Sequence, residues 1–225
     1  MSGKLIVFEG TDGSGKATQT ALLCRELETR GVPFRKLEFP RYGEESSALL
    51  RLYLNGAFGT DPADVNAYAA ATFYSVDRFA SYKQDWGGWY EQGGLVIADR
   101  YTTSNAVHQT SKLPREQQRA FLDWLFDFEY RKLGLPEPDR VMYLDMPTEL
   151  SEQMMRRREQ VTHTKADIHE RNEAYLRACR ESAAMVVEHG GWTRIDCARN
   201  GAPRTVEDIH REVMEKLRDL LEDIK

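Results

Sequence analysis

The stretch Leu5-Ile6-Val7-Phe8-Glu9-Gly10-Thr11-Asp12-Gly13-Ser14-Gly15-Lys16-Ala17 carries the strongest structural signal in this chain. Its first four residues form an apolar run typical of a buried strand, and Ala17 to Arg30 is typical of a helix that ends at Gly31. Between them lies the spacing of a phosphate-binding loop: Gly, four free residues, Gly, Lys, and then Ser or Thr. Every required position matches except the last, which holds Ala17. The sequence therefore predicts that the chain binds a nucleoside triphosphate.

The chemistry of such a loop explains its spacing. Glycines let the backbone adopt conformations that other residues avoid, so that its N–H groups turn inward. These groups and the positive end of the following helix then cradle phosphate oxygens. Lys16 adds a mobile positive charge for the β- and γ-phosphates.

Short apolar runs alternate with longer helical patterns along the rest of the chain. Strands are predicted at Leu5–Phe8, Arg35–Phe39, Leu95–Ala98, Val141–Leu144 and Thr193–Ile195. Helices are predicted over residues 17–30, 65–86, 115–133, 149–158, 169–188 and 206–224. This alternation predicts an α/β fold of the P-loop NTPase type: a five-stranded parallel sheet with helices on both faces. We interpret residues 1–225 as one domain, with a charged, mobile lid at about 156–167.

Composition limits the classes of partner. The 31 basic and 36 acidic residues give a net charge of −5, which argues against a nucleic-acid-binding surface. No apolar run approaches the roughly 20 residues of a membrane span, and no early stretch resembles a signal peptide. The three cysteines show no zinc or redox spacing and are typical of reduced thiols. We therefore expect a soluble, cytoplasmic protein that binds neither nucleic acid nor membrane.

Three further groups of residues suggest nucleotide chemistry, and each has a plainer alternative. Asp99-Arg100 closes a predicted strand, where the carboxylate suits hydrated magnesium and the arginine suits a phosphate. Alternatively, the two residues only form an ion pair at the end of the strand. Tyr74 lies one helical turn before Arg78, which fits a ring stacked on a base and a cation at its edge, although such aromatics are usually core. The three arginines at 156–158 could neutralise the charge of a triphosphate. Alternatively, they could form the solvent-exposed end of a helix, where positive charge offsets the helix dipole.

Together these segments resemble the thymidylate kinase family, a member of the nucleoside monophosphate kinase group of P-loop proteins. The resemblance extends from Gly10 to about Asp196. It rests on Glu9–Gln19, Phe39-Pro40-Arg41, Phe73–Arg78, Asp99–Gln109 and Leu144-Asp145-Met146-Pro147, which leads into the Arg156 region.

The resemblance implies that ATP phosphorylates dTMP to dTDP with Mg²⁺. It implies ATP contacts at Gly10, Thr11, Asp12, Gly13, Ser14, Gly15, Lys16, Ala17, Thr18, Arg156 and Arg199. It implies that Asp12 contacts the 3′-hydroxyl of dTMP, and that Arg41 and Arg100 bind its 5′-phosphate. It implies that Tyr74 stacks on thymine, Arg78 donates to O4, and Phe39 and Pro40 form the walls of the base pocket. Further dTMP contacts are implied at Ser104, Asn105 and His108. His108 would lie near the 2′ side of the sugar, or it is a structural histidine. Because guanidinium only donates hydrogen bonds, Arg78 suits a keto oxygen and rejects the amino group of cytosine.

The family divides by whether its catalytic cation lies in the phosphate loop or in the lid. This loop has no arginine, whereas the lid begins with Arg156-Arg157-Arg158, so the chain resembles the lid-arginine type. The Asp-Arg pair common in the lids of the family is missing, and Arg171 is another candidate. The catalytic residues implied are Lys16, Asp12, Arg100, Arg157 and Arg158, and the family generally forms homodimers.

Ala17 leaves the magnesium ion without the usual loop hydroxyl. We expect ATP oxygens and water to hold the ion, with support from Asp99 through water or from Asp12. Two alternatives remain open: another deoxynucleotide or deoxynucleoside kinase, and a nucleotide-binding regulator without catalysis.

Overall fold

A five-stranded, fully parallel sheet forms the centre of the protein, of which the computed structural model describes residues 2–154 and 172–222. The strand order is β2-β3-β1-β4-β5. The strands are β1 (Lys4–Gly10), β2 (Phe34–Glu38), β3 (Leu95–Asp99), β4 (Arg140–Asp145) and β5 (Thr193–Asp196). The predicted sheet is thereby confirmed, with every strand end within two residues of its predicted position.

Helices connect the strands and cover the sheet. They are α1 (Lys16–Thr29), α2 (Ala48–Leu54), α3 (Ala67–Ser81), α4 (Gly87–Glu91), α5 (Thr102–Thr110), α6 (Arg115–Phe126), α7 (described over 148–154), α8 (Glu173–His189) and α9 (Val206–Glu222). Two π-helical segments, Tyr82–Trp86 and Asp127–Lys132, continue α3 and α6. A small antiparallel ribbon, β6 (Ala198–Arg199) with β7 (Ala202–Pro203), follows β5.

The sequence did not predict α2, α4 as a separate helix, α5 or the ribbon. Helix α5 consists largely of threonine, serine, asparagine and other residues of modest helix propensity. Eight of its nine residues are buried, so packing rather than local preference stabilises it.

The core lies on both faces of the sheet. Along β1, Ile6 and Phe8 pack toward α1 and α9, whereas Leu5 and Val7 pack toward Trp86 on the opposite face. Burial on both faces explains why this strand is continuously apolar in the sequence.

The carboxyl ends of β1, β2 and β3 meet at one edge of the sheet. Phe8 is in register with Asp99, and Glu38 pairs with Asp99 from the other side. The backbone N–H of Arg100 donates to the Phe8 carbonyl at 3.1 Å. Ligands of open α/β sheets bind beyond this edge.

Within the described ranges, no helix is long and apolar enough to cross a membrane. The three cysteines, Cys24, Cys179 and Cys197, are buried and free.

Candidate active site

The loop between β1 and α1 has the conformation that its glycines predict. Gly15 precedes α1 with φ at 93°, a left-handed conformation that disfavours other residues. A Cβ atom on Gly10 would lie 2.5 Å from the Leu144 carbonyl oxygen, so a side chain there would force β4 away. The Lys16 ammonium is folded onto the loop, where it donates to the carbonyls of Gly10 at 2.7 Å and Thr11 at 3.0 Å.

Two hydroxyl groups of this loop are buried without a hydrogen bond. Thr11 Oγ1 and Ser14 Oγ have no partner within residues 2–154 and 172–222. A buried hydroxyl normally finds a partner, because leaving it unsatisfied costs about 1–3 kcal/mol. Ligand phosphate oxygens would satisfy both groups.

Asp12 lies between the two cations of the site. Its carboxylate forms an ion pair with Arg100 and lies 3.7 Å from the Lys16 ammonium. Burial lowers the pKa of Arg100, but the carboxylates of Asp12, Glu9 and Asp99 outweigh it and raise the pKa overall. Burial, aided by the charge of Arg100, lowers the pKa of Lys16. Arg100 also has φ at 67°, a strained conformation that is frequent at functional sites.

Two cavities meet at this cluster. The first, which we call the loop cavity, has a volume of about 330 Å³. The second, the helix cavity, has a volume of about 230 Å³ and is walled by α3 and α5. Asp12, Phe39 and Arg100 line both cavities. A group bound in one cavity can therefore reach a group bound in the other.

Most of the predicted site residues line one of these cavities. The loop cavity is lined by Asp12, Gly13, Gly15, Lys16, Ala17, Thr18, Asp99 and Arg100, together with Glu38, Phe39 and Met154. The helix cavity is lined by the predicted Asp12, Phe39, Pro40, Tyr74, Arg78, Arg100, Ser104, Asn105 and His108, together with Tyr42, Leu54, Tyr101 and Gln109.

The residues that could hold a magnesium ion are Asp12 and Asp99, which both line the loop cavity. Burial raises the pKa of Asp99, an effect that the charges of Lys16 and Arg100 oppose. The described residues contain no cluster of three metal-ligating side chains. One or two carboxylates beside substrate phosphates are, however, the usual protein share of a magnesium site, so the donor set fits this ion.

Comparison with known proteins identifies the family of the chain. The model of the family described as thymidylate kinase matches residues 8–213. The chain belongs to the thymidylate kinase family. It is accordingly a phosphotransferase, as the sequence predicted.

Individual relatives show how far the likeness extends. Thymidylate kinase from Mycobacterium tuberculosis is 34% identical over 157 residues, which cover 69% of this chain and 72% of that protein. Thymidylate kinase from Fervidobacterium nodosum is 27% identical over 218 residues, covering 93% and 95%. A solved structure of thymidylate kinase from Candida albicans has a TM-score of 0.71 at 21% identity and covers 97% of this chain and 92% of that one. This last similarity supports the fold.

Of the predicted contacts that lie among the described residues of this thymidylate kinase family member, five do not line either cavity: Gly10, Thr11, Ser14, Arg41 and Arg199. Arg41 is turned toward α3, where its backbone N–H and its Nε donate to the Asp77 carboxylate at 2.9 and 3.3 Å. Arg199 is exposed on the β6–β7 ribbon. Arg156, Arg157, Arg158 and Arg171 lie outside the described residues.

His108 is buried in the wall of the helix cavity. Burial and the nearby charge of Arg100 lower its pKa to about 4, so the imidazole is neutral at physiological pH. Its Nδ1 lies 3.6 Å from the Cys179 sulfur, and its backbone carbonyl accepts from the Tyr175 hydroxyl at 2.9 Å.

Sequence reasoning missed several polar residues of the site. Glu9, fully buried at the end of β1, accepts hydrogen bonds from Thr103 and Ser104 at 2.7 Å each. Glu129, from the π-helical segment after α6, accepts from Arg78. Gln109 is fully buried beside the helix cavity, and its amide has no partner in the described part of the chain. A charged residue inside an apolar strand was a usable signal for Glu9, but nothing local distinguished Glu129.

Proposed function

We propose that this chain transfers the γ-phosphoryl group of ATP to dTMP in a Mg²⁺-dependent reaction that forms dTDP and ADP. The observation that carries the proposal is the meeting of the loop cavity and the helix cavity at Asp12 and Arg100. A phosphate donor and a phosphate acceptor bound in the two cavities would face each other across these residues. Positioning and charge stabilisation are the main contributions of a protein to phosphoryl transfer.

The loop cavity would hold the ATP phosphates. Lys16 would exchange its bonds to the loop carbonyls for bonds to phosphate oxygens, and Thr11 and Ser14 would satisfy their hydroxyls there. Asp99 and Asp12 would hold the magnesium ion, which when bound neutralises charge on the triphosphate. Arg100 would stabilise the charge that spreads over the transferred group. The lid arginines 156–158 would add further positive charge from the ATP side.

The helix cavity would hold dTMP. Tyr74 would stack on thymine and Arg78 would donate to O4, while Phe39 and Pro40 would form the walls around the methyl group. Asn105 and Gln109 would border the imide edge, where Asn105 offers Oδ1 as an acceptor and the Gln109 amide offers both a donor and an acceptor. His108 and Asp12 would lie beside the sugar, and Arg100, with Arg41 once released from Asp77, would bind the 5′-phosphate.

We also propose a cytoplasmic homodimer, which the exposed apolar residues of α2 and α3 support. Val76 is 54% exposed, Leu49 52% and Tyr68 40%, and an interface with a second copy of the chain would bury them. Sedimentation tests this part: a monomer at micromolar concentration contradicts it.

A coupled assay with ATP and a panel of acceptors tests the function. With dTMP, dUMP, dCMP, dGMP and thymidine, we expect the highest kcat/KM for dTMP and little turnover of thymidine, which lacks the 5′-phosphate. Equal or better use of another acceptor would instead support a different deoxynucleotide or deoxynucleoside kinase. Binding of ATP and dTMP without formation of dTDP would support a regulator that does not catalyse.

A further inference from the structure

Glu129 is a fully buried carboxylate that lies behind the helix cavity. It belongs to the π-helical segment Asp127–Lys132 and does not line the cavity itself. Five hydrogen bonds from four residues converge on it. Oε1 accepts from Ser75 Oγ (2.8 Å), Arg78 Nη2 (2.5 Å) and Asn105 Nδ2 (3.2 Å), and Oε2 accepts from Arg78 Nε (2.7 Å) and Thr102 Oγ1 (2.7 Å).

The bond to Arg78 is bidentate and fixes the plane of the guanidinium. Because Nε and Nη2 are both bound to Glu129, Nη1 is the nitrogen left to face elsewhere. The hydrogen bond from Nη1 to the Tyr101 carbonyl is long, at 3.4 Å. Arg78 lines the helix cavity, so its remaining N–H donors are held at the wall of that cavity.

The bond to Asn105 fixes the orientation of an amide. Its Nδ2 lies between two acceptors, Glu129 Oε1 at 3.2 Å and the Ala71 carbonyl at 3.0 Å. Both N–H donors are thereby used inside the protein, which leaves Oδ1 as the group that can accept a hydrogen bond in the cavity.

From these contacts we infer that Glu129 is the positioning residue for base selection: it holds Arg78 as a donor and Asn105 as an acceptor at the pyrimidine edge. A 4-keto pyrimidine offers an acceptor at O4 and a donor at N3–H, which match this order. A 4-amino pyrimidine offers a donor at C4 and an acceptor at N3, which oppose it at both positions. The inference rests on the proposed function, because it assumes that the helix cavity holds a pyrimidine nucleotide.

The variant E129Q tests this inference. Glutamine keeps the length of the side chain but replaces one of the two carboxylate oxygens with an NH₂ group. Because Arg78 donates to both oxygens, one of its N–H groups would then face an N–H donor, and the bidentate bond that orients the guanidinium is lost. The acceptors compared are dTMP and 5-methyl-dCMP, which share the sugar, the phosphate and the methyl group and differ in the hydrogen-bonding edge at positions 3 and 4. We expect the ratio of their kcat/KM values to fall by about tenfold or more in E129Q. The KM for ATP should stay within about twofold, because the loop cavity does not depend on Glu129.

Two further variants keep the experiment decisive. E116Q removes a carboxylate from the exposed first turn of α6 and should leave the ratio unchanged. If E129Q does not fold, S75A takes its place, because it keeps the carboxylate and removes one of its donors; a fall of about threefold is then expected.

The outcomes separate the inference from the proposed function. If the wild-type protein does not prefer dTMP over 5-methyl-dCMP, the pyrimidine assignment of the helix cavity is wrong. If the wild-type protein has that preference and the folded variant retains it in full, Glu129 has only a structural role and the inference is overturned. An equal loss of activity with both acceptors also overturns it.

Discussion

The two cavities that meet at Asp12 and Arg100 are assembled in different ways. The loop cavity takes Asp12, Gly13, Gly15, Lys16, Ala17 and Thr18, more than half of its lining, from one continuous stretch that spans the β1–α1 loop and the start of α1. The helix cavity collects residues from five separate parts of the chain, at 12, 39–42, 54, 74–78 and 100–109, and Glu129 from a sixth part supports it from behind. The proposed phosphate recognition therefore relies mainly on one local stretch of the chain, whereas the proposed base recognition depends on tertiary packing.

The largest expected effect comes from removing the one side-chain cation of the phosphate loop. K16A should lower kcat by on the order of a thousandfold, because the ammonium would act on charge that develops in the transition state. Binding of dTMP, measured by calorimetry without ATP, should change little, because Lys16 lines only the loop cavity and not the helix cavity. The matched control is K132A, because the side chain of Lys132 is exposed. A large loss of dTMP affinity in K16A would mean that the two cavities are not separate in function.

The second effect concerns a buried titratable group in the wall of the helix cavity. His108 has a folded-state pKa of about 4, against 6.5 ordinarily, because burial disfavours its charged form. Between pH 4 and pH 6.5, His108 is protonated in the unfolded chain but not in the folded protein. The free energy of unfolding should therefore rise with pH from about 4 to 6.5 and fall again as the pH is lowered. His108 contributes up to about 3 kcal/mol to this change.

H108Q isolates this contribution. Denaturant unfolding of the wild-type protein and of H108Q between pH 4 and pH 8 should give curves that diverge in slope below pH 6.5 and run parallel above it. The acidic residues titrate in both proteins and cancel in the difference. Identical slopes below pH 6.5 would show that the imidazole already carries its proton in the folded state.

The contrast between the cavities also explains what could be predicted from the sequence. The strands, α1 and the loop follow from local patterns: an apolar run, glycines at fixed spacing and a lysine. Tyr74, Arg78, Ser104 and Asn105 were predicted through resemblance to a family, and the structure places all four in one cavity.

Glu129 could be found neither from local patterns nor from the resemblance. The regular helix predicted over 115–133 becomes π-helical at Asp127, and this change of period alters which way the Glu129 side chain faces. The contact between Arg41 and Asp77 was also beyond sequence reasoning, because Asp77 lies on a helix far away in the sequence.

The smallest expected effect restores the hydroxyl that the phosphate loop lacks. Ala17 is exposed in the loop cavity, beside Thr18 and near Asp12 and Asp99. In A17S, the new hydroxyl adds one ligand to an ion that we expect ATP oxygens, water and carboxylates to hold already. The concentration of Mg²⁺ for half-maximal activity should therefore fall by less than about fivefold, with kcat nearly constant.

A titration of activity against free Mg²⁺ at saturating ATP and dTMP measures this effect of A17S, and A17G serves as the control without a hydroxyl. An inactive parent protein that A17S activates would show instead that the missing hydroxyl is indispensable. The loop cavity would then lack an essential magnesium ligand, and its phosphate chemistry could no longer be inferred from the local sequence alone.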